Sequence, residues 1–242
     1  MVVKPALPPA MPSPILILAD GCKGGVGKSF IARITAHLFD RRQLPWVGLD
    51  GDNANAHLYR FCRGSGSVSR FDGSHPTEAF DPVLNAMSSS RHILVDLPAG
   101  VGVLEAAYPM IAMAAADAGY RIVRLFVLND GIDSVQQLRA SAPSFPYRDT
   151  VAVLNKRSPK PDDYSVWQKS NTRELLRSGG GRELTIPLLH QPTQKFADAN
   201  LMSFAELLAL PDLQAATRYN LRHFLKICGD QLDPVLQLGE PL

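Results

Sequence analysis

Short, almost continuously apolar runs recur along the chain and are separated by stretches in which apolar and polar residues alternate with a longer period. Runs of about four to eight apolar residues are typical of strands that are buried on both faces of a parallel sheet. The runs predict strands over residues 15–20, 46–50, 92–96, 121–128, 150–154 and 183–186.

The intervening stretches place apolar residues three and four positions apart, which is the spacing of a helix that covers a core. They predict helices over residues 29–42, 76–87, 103–118 (kinked at Pro109), 133–140 and an exposed 163–177, then two or three helical pieces over 193–229. Strands that alternate with helices predict an α/β fold, in which a mostly parallel, twisted sheet carries helices on both faces.

A glycine-rich loop joins the first predicted strand to the first predicted helix. It reads Lys23-Gly24-Gly25-Val26-Gly27-Lys28-Ser29. Such a loop between strand and helix is typical of a phosphate-binding loop, because its backbone N–H groups and the helix N-terminus converge on phosphate oxygens. We expect Lys28 to reach the β- and γ-phosphates and the Ser29 hydroxyl to ligate Mg²⁺.

The lysine at the start of this loop narrows the interpretation. With Lys23 and Lys28 at its two ends, the loop resembles the deviant phosphate loop of the ParA/MinD family of ATPases. The resemblance implies a single-domain P-loop fold and a sandwich homodimer that forms with ATP. It also implies that Lys23 reaches the partner's nucleotide, and that the nucleotide contacts Lys23, Gly24, Gly25, Val26, Gly27, Lys28, Ser29 and Phe30.

Three acidic residues follow or end predicted strands, namely Asp50, Asp52 and Asp96. In open α/β sheets, ligands bind at the carboxyl ends of the strands, and Mg²⁺ keeps several waters and few protein ligands. We therefore expect Asp96 to hold Mg²⁺ through water, with Ser29 and Asp52 completing the metal site. The alternative for Asp96 is a turn or capping aspartate before a proline.

The resemblance continues at these strand ends. Asp50-Gly51-Asp52 is similar to the family's first switch, which implies that Asp52 orients the attacking water. Asp96-Leu97-Pro98-Ala99-Gly100 is similar to the second switch, which implies that the Gly100 N–H approaches the γ-phosphate. Asn155 stands where the family has an adenine-reading asparagine, although it also fits an asparagine that starts a loop. Within the family, the sequence most resembles the plasmid stability and conjugative transfer branch (StbB or TraL type).

The length, composition and charge of the chain are compatible with this interpretation. The chain has 242 residues, a hydrophobic fraction of 45% and a formal net charge of +2, which is too small to indicate nucleic-acid binding by itself. We expect a proline-rich disordered arm over residues 1–14, an ATPase domain over 15–230 and a flexible tail over 231–242. Three widely spaced cysteines fit a reducing, cytoplasmic compartment, and the family suggests association with the nucleoid.

Two sets of basic residues bear on the partner of such an ATPase. Each is spaced by four on a predicted helix: Lys169, Arg173 and Arg177, then Arg218, Arg222 and Lys226. They predict a sequence-independent DNA surface, with a solvated helix face as the alternative. A membrane contact through the apolar face that includes Leu221 and Phe224 competes, but packing on the sheet is the more ordinary explanation.

The sequence thus predicts a Mg²⁺-dependent ATPase that hydrolyses ATP to ADP and phosphate, with Lys23, Lys28 and Asp52 as its catalytic residues. The expected output is plasmid or DNA partitioning through non-specific DNA or a DNA-bound adaptor protein. The alternative is a slow nucleotide-gated adaptor in conjugative transfer or in cell-pole or membrane positioning. A third possible class is an ATP-dependent ligase that uses a similar loop. The presence of Lys23 is evidence against this class.

Overall fold

The computed structural model describes residues 13–21, 23–53, 55–63, 67–72, 79–99, 102–156 and 164–238. Five predictions fall wholly or partly outside these residues: the arm before residue 13, the start of the helix over residues 76–87, the approach of Gly100 to the γ-phosphate, the first residue of the helix over residues 163–177, and the tail beyond residue 238.

Seven strands form one sheet in which every neighbouring pair is parallel. They are β1 (Ile15–Asp20), β2 (Trp46–Asp50), β3 (Ser67–Arg70), β4 (His92–Asp96), β5 (Arg121–Leu128), β6 (Thr150–Asn155) and β7 (Arg182–Ile186). Their order across the sheet is β3-β2-β4-β1-β5-β6-β7. The predicted α/β fold with a parallel sheet is confirmed, and β3 is an additional edge strand.

Ten α-helices lie within the described residues. They are α1 (Lys28–Arg41), α2 (His57–Phe61), α3 (Asp81–Ala86), α4 (Val103–Asp117), α5 (Ile132–Ser141), α6 (Ser165–Gln168), α7 (Asn171–Ser178), α8 (Gln191–Asn200), α9 (Phe204–Ala209) and α10 (Ala215–Leu236). Short 3₁₀ turns occupy Met87–Ser89 and Tyr147–Asp149. None of these helices is long and apolar enough to cross a bilayer.

Alternate residues of the buried strands build a core on each face of the sheet. Ile15 and Ile17 of β1 belong to the core beneath α1, α9 and α10. Leu16 and Leu18 point the other way and pack beneath α3 and α4. A third cluster, which includes Phe126 of β5, lies beneath α5, α6 and α7 on that second face. Helices on both faces leave the carboxyl ends of the central strands as the open edge.

The predicted exposed helix over residues 163–177 is wrong. The chain instead forms the two short helices α6 and α7, and the Ser170 side chain caps α7 by accepting a hydrogen bond from the Arg173 N–H at 3.1 Å. Lys169 lies between the two helices, so it does not share a helical face with Arg173 and Arg177. Trp167 and Leu176 are buried, which anchors both helices to the core.

The prediction of a flexible tail from residue 231 is also wrong as far as residue 236. Helix α10 continues to Leu236, and Leu232 and Leu236 are fully buried. The last carbonyls of a helix lack partners within it. Here Arg182 donates to the Pro234 carbonyl at 2.6 Å, and Arg121 donates to the Val235 and Leu236 carbonyls. The end of α10 is therefore bound to strands β5 and β7.

The apolar face of α10 packs inside the molecule. Leu221, Phe224, Leu225 and Cys228 are buried in the core that also contains α1 and α9. This burial supports the expectation that the face packs on the sheet rather than on a membrane.

Candidate nucleotide-binding site

The glycine loop connects the end of β1, at the centre of the sheet, to the start of α1. Gly25 and Gly27 have φ angles of 77° and 106°, which L-residues with a side chain rarely adopt. A Cβ at Gly27 would also lie 2.1 Å from the Asn155 Nδ2 atom. Gly27 is thus required both by its backbone conformation and by the close approach of β6.

Asn155 supports this loop directly. Its Nδ2 atom donates to the Val26 carbonyl at 3.1 Å, and its side chain is buried at the end of β6. The Oδ1 atom is buried and has no hydrogen-bond partner among the described residues. The expected adenine-reading role stays a prediction, but the structure shows the amide nitrogen occupied by the phosphate loop.

Lys28 and Ser29 begin α1, so their side chains stand where the free N–H groups of the helix are concentrated. Only 6% of Lys28 is exposed, and its Nζ atom donates to the Lys23 carbonyl at 3.3 Å. The N-cap residue Gly27 has no side chain to cap the helix. The helix N-terminus is therefore open to an anionic ligand.

Asp96 ends β4 beside this helix and is completely buried. Burial, followed by repulsion from Asp50, raises its pKa to about 8, while the Ser29 hydroxyl and Lys28 act in the opposite direction. Ser29 is close enough to affect the pKa, yet no described donor makes a well-oriented hydrogen bond to either Asp96 oxygen. A buried carboxylate without a partner beside a serine hydroxyl fits a water-shelled Mg²⁺ ion.

Asp50 and Asp52 take different positions after β2. Asp50 is buried and accepts hydrogen bonds from the backbone N–H groups of Asp52 at 3.0 Å and Tyr59 at 2.9 Å. Its pKa is raised chiefly by burial. Asp52 is partly exposed, and its Oδ1 atom accepts from the Asn55 N–H at 3.1 Å. Asp50 therefore shapes the turn, and Asp52 lines the cavity described next.

A cavity of about 500 Å³ opens at the glycine loop and continues over α1 between α2 and α8. Of the predicted site residues, it is lined by Gly24, Gly25, Gly27, Lys28, Ser29, Phe30, Asp52 and Asn155. We call this part the phosphate end. The remaining lining residues were not among the predicted site residues, and they are Arg33, Asn55, His57, Arg60, Phe61, Lys156, Leu188, Leu189, Gln194, Asp198 and Leu201.

Arg33 is the most unusual of the missed residues, because it is a charged side chain that is only 5% exposed. Its guanidinium lies 3.6 Å from the ring centre of Phe61 and 4.9 Å from that of Phe204. Its Nη1 atom donates to Asp198 Oδ1 at 3.1 Å. Burial lowers the pKa of Arg33, and the hydrogen bond to Asp198 opposes that shift. An arginine inside the apolar stretch of α1 was the available signal.

We call the part of the cavity around Arg33, Phe61 and Asp198 the nucleoside end. Its walls come from α1 and α2, which are near each other in the sequence, and from α8, which is more than 100 residues further along the chain.

A second buried arginine, Arg124, holds the residue that precedes the glycine loop. Arg124, in the middle of β5, donates from Nε to Asp20 Oδ2 at 2.8 Å and from Nη1 to Ser141 Oγ at 2.7 Å. The other oxygen of Asp20 accepts from the Gly21 N–H at 2.7 Å. The pair ties the last residue of β1 to its neighbouring strand, and a charged residue within a strand of apolar residues was its signal.

Lys23 lies outside the cavity, with 55% of its side chain exposed. Its Nζ atom forms an ion pair with Asp133 in the first turn of α5. A role for Lys23 at a partner's nucleotide stays a prediction, and the structure adds that this role requires Lys23 to leave Asp133.

The two basic sets make contacts within the chain. Arg173 and Arg177 both pair with Glu183, at 2.6 and 2.8 Å, and these contacts, chiefly with Arg173, lower the pKa of Glu183 to about 2. The Arg218 guanidinium donates to the carbonyls that end α9, and Lys226 pairs with Asp230 at 2.7 Å. These contacts give most of the basic residues a structural role, so DNA binding stays a prediction.

Known proteins of similar sequence or structure support the fold described above. No model of a protein family matches the sequence. The protein MobD of Acidithiobacillus ferrooxidans is 22% identical over 226 residues, which cover 91% of this chain and 97% of MobD. A Borrelia burgdorferi protein assigned to plasmid partition, bound to AMPPNP, is 13% identical with a TM-score of 0.54, and the match covers 90% of this chain and 99% of that one.

Two further solved structures share the fold. The septum site-determining protein MinD of Pyrococcus horikoshii, complexed with Mg-ADP, is 14% identical with a TM-score of 0.51, over 95% of this chain and 99% of that one. The cell division protein FtsY of Thermotoga maritima is 18% identical with a TM-score of 0.53, over 72% and 61%. The chain spans 50% to 65% of the length of the FtsY chains that it matches.

The parallel sheet and the glycine loop at its central strand define a P-loop nucleotide-binding fold. Within that class, the chain has the fold of ParA/MinD-type proteins, as the Borrelia and Pyrococcus structures show over nearly their whole length. The resemblance that rests on Lys23 and Lys28 is therefore confirmed at the level of the fold. The plasmid stability and conjugative transfer branch stays a prediction.

Proposed function

We propose that the protein is a Mg²⁺-dependent ATPase that alternates between a monomer and an ATP-bound sandwich dimer. One observation carries the proposal: Lys28, Ser29, Asp52 and the unpaired, buried Asp96 all stand around the glycine loop at one edge of the sheet. This is the arrangement that phosphoryl transfer needs, because positioning and charge stabilisation supply most of its catalysis.

Each residue has a distinct task in this proposal. The backbone N–H groups of residues 25–29 bind the phosphates, and Lys28 stabilises charge on the transferred γ-phosphoryl. The Ser29 hydroxyl and, through water, Asp96 hold Mg²⁺, which when bound neutralises charge on the β- and γ-phosphates. Asp52 orients the attacking water. Lys23 acts in the partner's site after it has left Asp133.

We further propose that the dimer acts in plasmid or DNA partitioning, through non-specific DNA or a DNA-bound adaptor, in the cytoplasm. Support comes from the shared fold of the Borrelia protein assigned to plasmid partition. The second candidate is a slow nucleotide-gated adaptor. The many contacts that the basic residues make within the chain favour it over a strong DNA motor.

ATP binding and turnover of two variants test the proposal. We expect Lys28→Ala to weaken Mg-ATP binding about 100-fold, because it removes charge-assisted hydrogen bonds to phosphate. Asp52→Ala should keep ATP, lose hydrolysis and accumulate as a dimer. Calorimetry, phosphate release and light scattering measure these three effects. The exposed Lys195 does not line the cavity, so Lys195→Ala is the matched control.

Two outcomes are decisive. Wild-type affinity in Lys28→Ala would refute the phosphate site, and a monomeric Asp52→Ala protein at saturating ATP would refute the sandwich dimer. Strong stimulation of turnover by DNA would favour partitioning, and unchanged slow turnover would favour the adaptor.

A further inference from the structure

The nucleoside end of the cavity presents a carboxylate that the phosphate chemistry does not use. Asp198 of α8 lines the cavity, and 48% of its side chain is exposed. Among the described residues of the lining, the only other acidic residue is Asp52, which lies at the phosphate end. Asp198 is therefore the acidic group that faces the part of a nucleotide beyond its phosphates.

Arg33 fixes the orientation of this carboxylate. The guanidinium carbon lies over the Phe61 ring, 3.6 Å from its centre, and Nη1 donates to Asp198 Oδ1 at 3.1 Å. An ionised carboxylate offers two acceptor oxygens and about four lone-pair positions, so one bond to Arg33 leaves acceptor capacity for a ligand. Arg33 thus acts as a positioning residue for Asp198.

Burial of the Arg33 guanidinium costs free energy, and a role in binding would account for it. The Nε and Nη2 atoms of Arg33 are buried and have no hydrogen-bond partner among the described residues. Replacing buried ion pairs by well-packed apolar residues often leaves a protein equally or more stable. A cation with unsatisfied donors inside an apolar helix face is poorly explained by stability alone, which points to a role in binding.

The distance along α1 selects the part of the nucleotide. Arg33 follows Lys28 by five residues, which is about 7.5 Å along a helix axis. A nucleotide whose β- and γ-phosphates lie at Lys28 places its ribose, rather than another phosphate, about this far away. We propose that Asp198 binds the ribose hydroxyls of the nucleotide and that Arg33 positions it; this inference rests on the proposed function. A carboxylate suits the O–H donors of a ribose because it only accepts hydrogen bonds.

Deoxynucleotides test this inference separately from nucleotide binding itself. The affinities of ATP, 2′-deoxy-ATP, 3′-deoxy-ATP and GTP are measured by calorimetry for the wild-type protein and for Asp198→Ala. We expect the wild-type protein to bind at least one deoxynucleotide about tenfold more weakly than ATP, which is the size of one hydrogen bond to a charged group. Asp198→Ala should weaken ATP binding to the deoxynucleotide level and leave deoxynucleotide binding unchanged.

Two further variants complete the experiment. Arg33→Met keeps an apolar contact with Phe61 and should lose most of the preference for ATP over the deoxynucleotide, although Asp198 is still present. Asp230→Ala changes an exposed acidic residue that does not line the cavity and should keep the wild-type preference.

The contrary outcomes are distinct. Equal wild-type affinity for ATP and both deoxynucleotides would refute the inference and leave the proposed function standing. A loss in Asp198→Ala that affects GTP but not ATP would mean that the carboxylate contacts a guanine edge instead. No binding of any nucleotide by the wild-type protein would overturn the proposed function itself.

Discussion

The two ends of the cavity are built in different ways. The phosphate end takes most of its groups from one continuous segment, residues 24–30, and adds Asp52 and Asn155 from two strand ends. The nucleoside end joins Arg33 of α1 to Asp198 of α8, which are 165 positions apart in the sequence. The first end is therefore a local property of the chain, and the second exists only after the helices have packed.

This difference indicates how each end tolerates change. The phosphate end presents backbone N–H groups, which any sequence that adopts the loop conformation supplies. The nucleoside end presents side chains that depend on the angle and spacing of three helices. We expect nucleotide specificity to vary with the side chains of the nucleoside end. The phosphate end, in contrast, should tolerate little change in the conformation of its loop. Three predictions examine this contrast, from the largest expected effect to the smallest.

The pH dependence of unfolding is the strongest test of the phosphate end. Burial raises the pKa of Asp96 to about 8, so without Mg²⁺ we expect the native carboxyl to keep its proton up to about that pH, whereas an unfolded aspartate loses it near pH 4. Between these values the unfolded state binds fewer protons, so the free energy of unfolding should fall as the pH rises, by at most about 5 kcal/mol. Asp96→Asn should remove most of this fall in chemical denaturation series.

The matched variant at the nucleoside end is Asp198→Asn, which leaves Asp96 unchanged and which we therefore expect to retain the wild-type fall. Addition of Mg²⁺ and ATP should reduce the fall in the wild-type protein. An equal pH dependence in Asp96→Asn and the wild type would show that this carboxylate is already ionised in the native protein.

The contact between Gly27 and Asn155 tests whether the phosphate end is as local as the comparison suggests. Gly27→Ala combines an unfavourable φ of 106° with a Cβ that meets Asn155. We expect it to lower the free energy of unfolding by about 3 kcal/mol and to weaken ATP binding. The double variant with Asn155→Ala should recover only the steric part and leave about 1–2 kcal/mol of backbone strain.

Gly24→Ala is the control for this series, because a Cβ at Gly24 meets no atom within 4 Å. Its stability should remain close to that of the wild type. Complete recovery in the Gly27→Ala, Asn155→Ala double variant would mean that the contact with β6, and not the loop conformation, makes glycine necessary.

The smallest expected effect concerns Lys23, which belongs to neither end of the cavity. Asp133→Asn removes an ion pair whose two side chains are 55% and 56% exposed, so stability should change by less than about 1 kcal/mol. Loss of the ion pair with Asp133 should raise the ATP-dependent dimer population up to about fivefold, as measured by sedimentation. The neighbouring exposed Asp130 provides the control variant Asp130→Asn. A decreased dimer population would show that Asp133 assists the dimer.

The sequence was sufficient for the elements whose signal is local. All six predicted strands form. Five are apolar runs buried on both faces, whereas residues 183–186 alternate and only Leu184 and Ile186 are buried. Strand β3 was missed because its mostly exposed residues Ser67, Ser69 and Arg70 carry no such pattern, and only pairing with β2 makes it a strand. The helix over residues 163–177 was predicted as one because the capping by Ser170 was not recognised.

The site follows the same division. Lys28, Ser29, Asp52 and Asn155 were predicted, and all of them line the cavity. The contact of Asn155 with the Val26 carbonyl was not predictable, since periodicity says nothing about which side chain reaches which carbonyl. Arg33 was missed although a charged residue in the apolar stretch of α1 is a signal, whereas Asp198 has no such signal because only the packing of α8 brings it to Arg33.

The end of α10 has a practical consequence for laboratory work on this protein. Arg121 and Arg182 hold the carbonyls of residues 234–236, and Arg42 pairs with Asp233 at 2.6 Å. If the chain were cut at residue 230 to attach a reporter or affinity tag, it would lose the contacts that join the end of α10 to β5, β7 and the residue that follows α1. Fusions made beyond Leu238 keep the end of α10 intact, which lies where β5 begins, away from the glycine loop.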